Sequence, residues 1–370
     1  MATQLCPYFG KCGGCSSQHL DYNIQLENKK KALAHAVQFQ DIKVFSGKEY
    51  YYRNRMDMIF HATGIGLRKR SEWYTLIDVE KCVIANERVN DLIQEVRDFF
   101  KEADYFDIKK KSGTFRYAVI RASDEDSSIS IVLNSESKRI TEAIEKVKEF
   151  ALQTTANNVV ATYVPSNSAE SISDDFFVIK GKDMLTKKYI GRQFFYSVQG
   201  FFQNNDEMAE KMHEYCNELL KNYNTKDANL LDLYGGVGTF GINNAELFKG
   251  TTIIESLKQC IDAANINIKV NNIQNIKAIL LDAIQLKKAQ LSRPLFVITD
   301  PPRTGMHQKT IEQLKMLKPE VIIYISCNTE QLKKEVLKFK QYKVKSAALF
   351  DLFPQTNHSE AIVELVKREN

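Results

Sequence analysis

Three short segments in the C-terminal part of the sequence carry residue types suited to covalent and acid–base chemistry. Ser326-Cys327-Asn328 follows the apolar run 321–325, and Asp300-Pro-Pro-Arg303 follows another apolar run. A thiolate just past a buried strand can act as a nucleophile, because open α/β sheets place reactive groups in the crevice at that edge. Glu360 lies in a turn that faces the same edge, where it can accept a proton.

Taken singly, these residues have simpler interpretations. Cysteine is among the most buried residue types, so Cys327 alone favours a structural role. An ordinary strand-ending turn explains the prolines after Asp300 but leaves Asp300 and Arg303 without a purpose. Glu360 alone favours a surface glutamate. The case for chemistry therefore depends on the three segments meeting at one edge of a sheet.

A glycine-rich turn predicts a second site nearby, for a ligand that contains a ribose. The segment 230–240 indicates a strand, a tight turn that includes Tyr234 and three glycines, and then a helix start. Glu255 ends the next strand-like run, where a carboxylate can accept both ribose hydroxyls, and Asp282 and Asp300 end the two runs after it. NAD and S-adenosylmethionine both fit this spacing. The glycines follow one another as Gly-Gly-Val-Gly, without the two further residues that precede the third glycine of the dinucleotide fingerprint. This spacing favours S-adenosylmethionine.

The cysteines at the start of the chain suggest a metal or cluster site. The sequence has seven cysteines, and three of them fall within residues 6–15. In a reducing compartment this crowding indicates metal or cluster ligands before it indicates disulfides. Four thiolates can hold a zinc ion or a four-iron four-sulfur cluster. The candidate ligands are Cys6, Cys12, Cys15 and the distant Cys82.

The elements that must position these residues change along the chain. Residues 1–45 predict a cysteine-bearing segment and a helix, and residues 46–185 predict a small central α+β domain. Residues 186–370 contain seven strand-like runs with helices between them, which predicts an α/β, Rossmann-like domain with a seven-stranded sheet. Only about ten residues join the last two runs, so we expect an antiparallel hairpin there.

Composition excludes several classes of protein. The chain has 370 residues, 44% of them apolar, and a formal net charge of +5, which argues against disorder and against a polycation. The sequence has no run of eighteen apolar residues and no secretory signal pattern. These features predict a cytoplasmic protein with no membrane contact and no obligate protein partner.

Several motifs together resemble the RNA uracil carbon-5 methyltransferases. The resemblance covers nearly the whole chain, and the segments 6–22 and 50–55 are similar to the N-terminal half of that family. The remaining motifs that carry it are Gly200-Phe-Phe-Gln203-Asn-Asn205, Asp232-Leu-Tyr234-Gly-Gly-Val-Gly238, Asp300-Pro-Pro-Arg303, Ser326-Cys327-Asn328 and Pro354–Glu360.

The resemblance implies a chemistry that uses these residue types. Uracil carbon 5 is a weak nucleophile, so a thiolate, here Cys327, must first add at carbon 6. Glu360 would then remove the proton from carbon 5 after methyl transfer. The resemblance also implies S-adenosylmethionine as the methyl donor, with Gln203, Tyr234, Glu255 and Asp300 as contacts; Asp282 is added from its strand-end position. It implies a [4Fe-4S] cluster on the four cysteines, with Cys82 joining the first segment to the central domain.

The expected partner is RNA. Residues 43–70 carry seven basic and two acidic side chains with tyrosines and Phe60 between them, a pattern suited to phosphates and unpaired bases. We expect large-subunit (23S-type) ribosomal RNA as substrate, although the cluster-bearing members of the family that the chain resembles include enzymes for both ribosomal and transfer RNA. The chain begins almost at the cysteines, so we expect no separate N-terminal RNA-binding barrel. Transfer RNA is the second candidate. A non-catalytic RNA-binding module and a redox sensor are rivals, but they leave Cys327, Asp300 and Glu360 without a role.

Overall fold

Two large β-sheets and a two-stranded ribbon form the framework of the protein. The computed structural model describes residues 4–368. In chain order the strands are β1 (Ile42–Phe45), β2 (Arg55–His61), β3 (Gly64–Lys69), β4 (Glu72–Asp78), β5 (Phe115–Ala122), β6 (Ser127–Asn134), β7 (Asn158–Val164), β8 (Phe176–Lys180), β9 (Met184–Tyr189), β10 (Arg192–Ser197), β11 (Asn229–Leu233), β12 (Gly250–Glu255), β13 (Ile276–Leu280), β14 (Leu295–Thr299), β15 (Val321–Ser326), β16 (Tyr342–Phe350) and β17 (Glu360–Lys367).

Helices cover the faces of both large sheets. Two short 3₁₀ segments follow α5 and β13 (Ala245–Leu247 and Ala283–Lys288). Among the described residues, no helix combines the length and the apolar character that a membrane crossing needs. The α-helices are α1 (Tyr22–Val37), α2 (Glu87–Phe99), α3 (Ile140–Gln153), α4 (Asp206–Lys221), α5 (Thr239–Asn244), α6 (Lys258–Val270), α7 (Gln308–Leu317) and α8 (Thr329–Val336).

The larger sheet is the predicted Rossmann-like sheet, and it has one more strand than expected. Its order is β1-β16-β17-β15-β14-β11-β12-β13, and every neighbouring pair is parallel except the two that involve β17. The terminal antiparallel hairpin, β16–β17, is present as expected. All seven predicted runs are strands of this sheet, but the sheet has eight strands, because β1 pairs in parallel with the open edge of β16. A four-residue run is too short to be recognised as a strand by its pattern.

The smaller sheet belongs to the central part of the chain. Its order is β4-β3-β2-β5-β6-β7-β8, and only β6–β7 is parallel. Along β2 the buried side chains alternate, and Met56, Met58 and Phe60 pack into the core beneath α2 and α3. The boundary predicted between residues 185 and 186 falls inside β9, which pairs with β10. The division into three domains stays a prediction.

The first segment is tied to the end of the chain by a buried ion pair. Lys29 on α1 donates to Asp351 at 2.6 Å, and only 6% and 0% of their side chains are exposed. Asp351 opens the hairpin loop (residues 351–359), which joins β16 to β17. A buried charge that loses its partner is strongly destabilising, so this pair holds α1 against the hairpin loop.

Replacing Lys29 with methionine should lower the free energy of unfolding by about 3–5 kcal/mol, because Asp351 is left buried and unpaired. The double replacement Lys29→Met with Asp351→Leu should recover most of that loss, since no uncompensated charge remains. Urea denaturation followed by circular dichroism measures both. Equal destabilisation by the single and the double variant would contradict the pairing.

Candidate active site

Six of the predicted site residues stand in line along one edge of the larger sheet. In the order of the strands they are Glu360, Cys327, Asp300, Tyr234, Glu255 and Asp282, at the ends of β17, β15, β14, β11, β12 and β13. We call this set the strand-end row. Five of these strands end at this edge, whereas the antiparallel β17 begins there with Glu360. Strands lie about 4.8 Å apart, so neighbours in the row are within reach of one small ligand.

The half of the row around Cys327 is buried and electrostatically coupled. The pKa of the Cys327 thiol is raised to about 12, mainly by burial and also by Glu360 and Asp300, while Arg303 lowers it. Burial, with a contribution from Asp300, also raises the pKa of Glu360 well above its ordinary value. Both shifts favour the protonated forms of the thiol and of the carboxyl. The arrangement places a nucleophile, a proton acceptor and one guanidinium around the same space.

Local hydrogen bonds fix the turn that carries Cys327. The Asn328 side chain accepts from the amides of Glu330 and Gln331 at 3.1 and 3.2 Å, which caps α8, and its Nδ2 donates to the Arg303 carbonyl at 3.0 Å. The same asparagine thus joins the segment after β15 to the segment after β14. Cys327 is held between a strand end and a capped helix.

The turn after Asp300 rests on a carboxylate that the sequence analysis missed. Glu335 on α8 is fully buried and accepts from the Met306 amide at 2.9 Å and from Gln331 Nε2 at 2.7 Å. Gly305 has a φ of +80°, and a Cβ there would meet the Glu335 carboxylate at 1.9 Å. No local pattern in the sequence marks this contact, because α8 looks like an ordinary surface helix.

The glycine-rich turn has the tight geometry that its sequence predicts. Tyr234 lies at a φ of +62° and Gly236 at +53°, and space around Gly236 is open. The Gly236 amide donates to Glu255 at 3.2 Å, which joins the turn to the end of β12. Below it, Asp232 accepts from the Gly241 amide at 2.7 Å. Burial, with Asp300 and Glu255 nearby, raises the pKa of Asp232 to about 7, and sequence reasoning assigned this residue no role.

Two of the predicted donor contacts lie at the margins of the site. Asp282 is exposed, and its carboxylate caps the following 3₁₀ segment by accepting from the Ile284 amide at 2.8 Å. Gln203 lies outside the strand-end row, in the segment that joins β10 to α4. Its carbonyl accepts from Asn54 Nδ2 at 3.1 Å, which connects that segment to the central sheet.

The four N-terminal cysteines come together although 66 residues separate Cys15 from Cys82. All four line one cavity of about 420 Å³. The Gly14 amide donates to Cys12 Sγ at 3.4 Å, and the side chain of Gln18 is buried with no partner for its Nε2. In the described part of the chain, no three His, Cys, Asp or Glu side chains gather tightly enough around one point to hold a single metal ion.

Several aromatic residues expected to face RNA are in the core instead. Phe60 and Tyr52 are buried, and the Tyr52 hydroxyl donates to the Pro354 carbonyl at 2.9 Å. Phe202 is also buried, where it stacks on Tyr196 with ring centroids 4.0 Å apart. Phe201, by contrast, is 68% exposed. Alternation along β2 sends every second residue inward, so interleaved aromatics need not share a surface.

Exposed aromatics with basic neighbours do occur in the hairpin just beyond that stretch. Trp73 is 62% and Tyr74 is 47% exposed. The Lys109 ammonium lies 4.5 Å from the Tyr74 ring, and the Arg68 guanidinium 5.9 Å from the Trp73 ring. Rings and cations of this kind can stack on unpaired bases and contact phosphates. The cue in the sequence was the Trp-Tyr pair at residues 73–74, which lies two residues beyond the basic run 68–70.

Comparison with known proteins identifies the family. The family model described as tRNA (uracil-5-)-methyltransferase matches residues 21–368. An RNA methyltransferase of Caldanaerobacter subterraneus is 31% identical over 98% of this chain and 84% of its own length. The tRNA (uracil(54)-C(5))-methyltransferase of Pyrococcus abyssi is 28% identical over 98% of this chain and 85% of its own length.

A solved structure agrees with these sequence matches. The crystal structure of the Pyrococcus abyssi tRNA (uracil-54, C5)-methyltransferase in complex with S-adenosyl-L-homocysteine superposes with a TM-score of 0.79 at 27% identity. The match covers 95% of this chain and 86% of that one. The mixed α/β fold, the strand-end row and the family match agree: the chain belongs to the RNA uracil carbon-5 methyltransferase family.

Proposed function

We propose that the protein methylates carbon 5 of a uridine in RNA, with Cys327 as nucleophile and Glu360 as base. The observation that carries this proposal is the strand-end row, in which Glu360 and Cys327 stand on neighbouring strands and Asp300 stands on the next. The nucleophile and the base thus lie together in one half of the row. The groups suited to the methyl donor occupy the other half.

In the proposed reaction the Cys327 thiolate forms a bond to uracil carbon 6, and carbon 5 gains the electron pair. S-adenosylmethionine supplies an electrophilic methyl group on its sulfonium sulfur. Once carbon 5 carries that methyl group, Glu360 takes the remaining proton from carbon 5. The bond between Cys327 and carbon 6 then breaks, and the thiolate leaves. The charge of Arg303 lowers the pKa of the Cys327 thiol and so favours the thiolate.

The other half of the row fits a methyl donor that contains a ribose. Glu255 ends β12, and its carboxylate can accept ribose hydroxyls while it holds the Gly236 amide. The open space at Gly236 lets a ligand approach the backbone. We assign Tyr234 and Asp300 to the same ligand, because they stand between Glu255 and Cys327 in the row. Gln203 and Asp282 remain weaker candidates at its margins.

We further propose that Cys6, Cys12, Cys15 and Cys82 hold a [4Fe-4S] cluster. All four line the same cavity of about 420 Å³. Four thiolates can hold either a zinc ion or a cluster, and the family resemblance favours the cluster. The unpartnered Gln18 Nε2 and the Gly14 amide are donors suited to sulfur. The cluster would join the first segment to the central domain, and no step of methylation requires it.

The RNA is a transfer RNA or a ribosomal RNA. The relatives from three Pyrococcus species that are named tRNA (uracil(54)-C(5))-methyltransferases match this chain over 97–98% of its length, which favours a transfer RNA. The expectation of a large-subunit ribosomal RNA stays a prediction, since no comparison tests it. The two substrates share the same uracil chemistry, so only an assay on each RNA separates them.

The protein should transfer the methyl group of labelled S-adenosylmethionine to a uridine of one unmodified RNA, supplied as tRNA or as large-subunit ribosomal RNA. Mass spectrometry of nuclease digests locates the 5-methyluridine. RNA with 5-fluorouridine at that position should form a covalent adduct, because fluorine cannot leave as a proton does. Cys327→Ala should lose at least about 10⁴-fold in rate and form no adduct. An adduct in that variant would move the nucleophile to another residue.

Alkylation of Cys327 by iodoacetamide should rise about tenfold per pH unit from pH 7 to 9 without a plateau, because burial raises the thiol pKa to about 12. Arg303→Gln should slow the reaction at every pH, since Arg303 lowers that pKa. Peptide mass spectrometry follows Cys327 separately from the other cysteines. A plateau below pH 9, or faster alkylation in Arg303→Gln, would contradict this account of the site.

Protein purified without oxygen should contain about four iron and four sulfide per chain. Cys15→Ser should lose most of both and melt at a lower temperature, because the first segment loses its connection to Cys82. Cys260→Ser is the matched control, since Cys260 is half-buried outside the cavity. One zinc per chain and no sulfide would refute the cluster.

A further inference from the structure

We propose that Gln25 on α1 is a positioning residue for Glu360, acting through the hairpin loop (residues 351–359). Gln25 would fix this loop so that the Glu360 carboxylate meets the proton on uracil carbon 5. The inference rests on the proposed function and deepens it, because it assigns part of the proton-abstraction step to the N-terminal segment. Gln25 itself touches neither the substrate nor the methyl donor.

A reciprocal pair of hydrogen bonds joins Gln25 to the hairpin loop. Gln25 Nε2 donates to Gln355 Oε1 at 3.0 Å, and the Gln355 amide donates to Gln25 Oε1 at 3.1 Å. Both side chains are buried, with exposed fractions of 3% and 1%. The same Nε2 also lies 3.1 Å from the Ser17 carbonyl. Since buried amides are costly to leave unpaired, this pair fixes the register between α1 and the loop.

The residue at the centre of this contact is conformationally strained. The backbone of Gln355 has a φ of +66°, a left-handed conformation that residues other than glycine rarely adopt. Its carbonyl accepts from the amides of Ser16 and Ser17, each at 3.0 Å. These serines directly follow Cys15 in the chain. The strained residue is thus fixed on both its amide and its carbonyl side by the N-terminal segment.

The neighbouring carbonyls of the loop follow the same pattern. Leu352, Phe353 and Pro354 each use the main-chain oxygen to accept from another part of the chain. The donors are Asn205 Nδ2 at 3.2 Å, Lys29 Nζ at 3.1 Å and the Tyr52 hydroxyl at 2.9 Å, in that order. Together with Gln355, four consecutive carbonyls therefore take their partners from outside the hairpin. The loop is therefore shaped by its surroundings as well as by its own turn, in which the Thr356 hydroxyl donates to the Phe353 carbonyl at 2.8 Å.

Glu360 follows this loop directly, whereas the loop reaches Cys327 only indirectly, through the contact of His358 with Arg303 at 3.3 Å. Glu360 is the first residue of β17 and pairs with Phe350, so the path of residues 351–359 sets where its side chain begins. Cys327 is held by β15 and by the Asn328 cap. A displacement of about 1 Å at a catalytic group can reduce a rate by about 100-fold. Loosening the loop should therefore slow proton abstraction and leave thiolate addition intact.

This separation predicts a specific signature in Gln25→Leu, which keeps the size of the side chain but removes its hydrogen bonds. Turnover of uridine RNA should fall at least about tenfold, and an adduct between enzyme and methylated RNA, stable to denaturation, should accumulate because addition outpaces elimination. The rate of adduct formation with 5-fluorouridine RNA should stay within about twofold of the parent protein, because that reaction ends before proton abstraction. Gel electrophoresis and mass spectrometry of the full-length, cluster-containing protein measure both.

Three variants complete the experiment. Glu360→Gln is the reference and should accumulate the same adduct more strongly. Asn275→Leu is the matched control: it removes an amide that donates to two carbonyls at 2.8 Å each, at the opposite edge of the sheet, and should accumulate none. Gln355→Ala removes the partner side chain and should change turnover and adduct in the same direction as Gln25→Leu. It serves as the test if Gln25→Leu does not fold.

Slow turnover without adduct in Gln25→Leu or Gln355→Ala, beside clear adduct in Glu360→Gln, would overturn the positioning role and leave the proposed function in place. Unchanged turnover in both would overturn it as well. If Glu360→Gln itself accumulates no adduct while 5-fluorouridine RNA still traps Cys327, the base assignment fails, and the positioning role fails with it. Slow trapping by 5-fluorouridine RNA in Gln25→Leu would show that the loop acts on addition, contrary to the inference.

Discussion

The reversal of a single strand determines what the site can do. Parallel strands bring their carboxyl ends to one edge, which is how Cys327, Asp300, Tyr234 and Glu255 come together. If the strand beside β15 were also parallel, its last residue and the loop after it would lie at that edge. Because β17 runs the other way, its first residue stands there instead, and Glu360 lies next to Cys327. Cys327 and Glu360, the proposed nucleophile and base, are neighbours because of one antiparallel hairpin.

That hairpin also explains why the N-terminal segment belongs to the site. The hairpin loop reverses the chain direction at the edge that carries the strand-end row. Its buried carbonyls need hydrogen-bond donors. The first segment supplies them through Ser16, Ser17 and Lys29, while β1 pairs alongside β16. A segment that is distant in sequence from most of the larger sheet thus helps to hold Glu360, the proposed base, in place. The cysteines lie directly beside this contact.

Most of the strand-end row could be predicted from sequence, and the reason is periodicity. Apolar runs that end in a polar residue mark strand ends, and parallel topology then places those ends together. The short strand β1 was missed because four residues carry no period. Glu335 and Gln25 were missed because a buried polar contact depends on which distant segments meet, and a helix pattern does not encode that. Tyr52 and Phe60 were expected at the surface but are buried, because closeness in sequence does not determine which way a side chain points.

The buried carboxylates at this edge of the sheet bear on the choice between NAD and S-adenosylmethionine, the two ligands that fit the spacing of the glycine-rich turn. Burial raises the pKa of Asp300 to about 7, and it raises the pKa of Asp232 as high, with Asp300 and Glu255 adding to the effect there. Carboxylates that already repel one another disfavour a ligand with a pyrophosphate, since more negative charge would enter a site of low dielectric. A ligand with a positive sulfur relieves that repulsion. The same electrostatics that raise these pKa values therefore favour a sulfonium methyl donor over a dinucleotide.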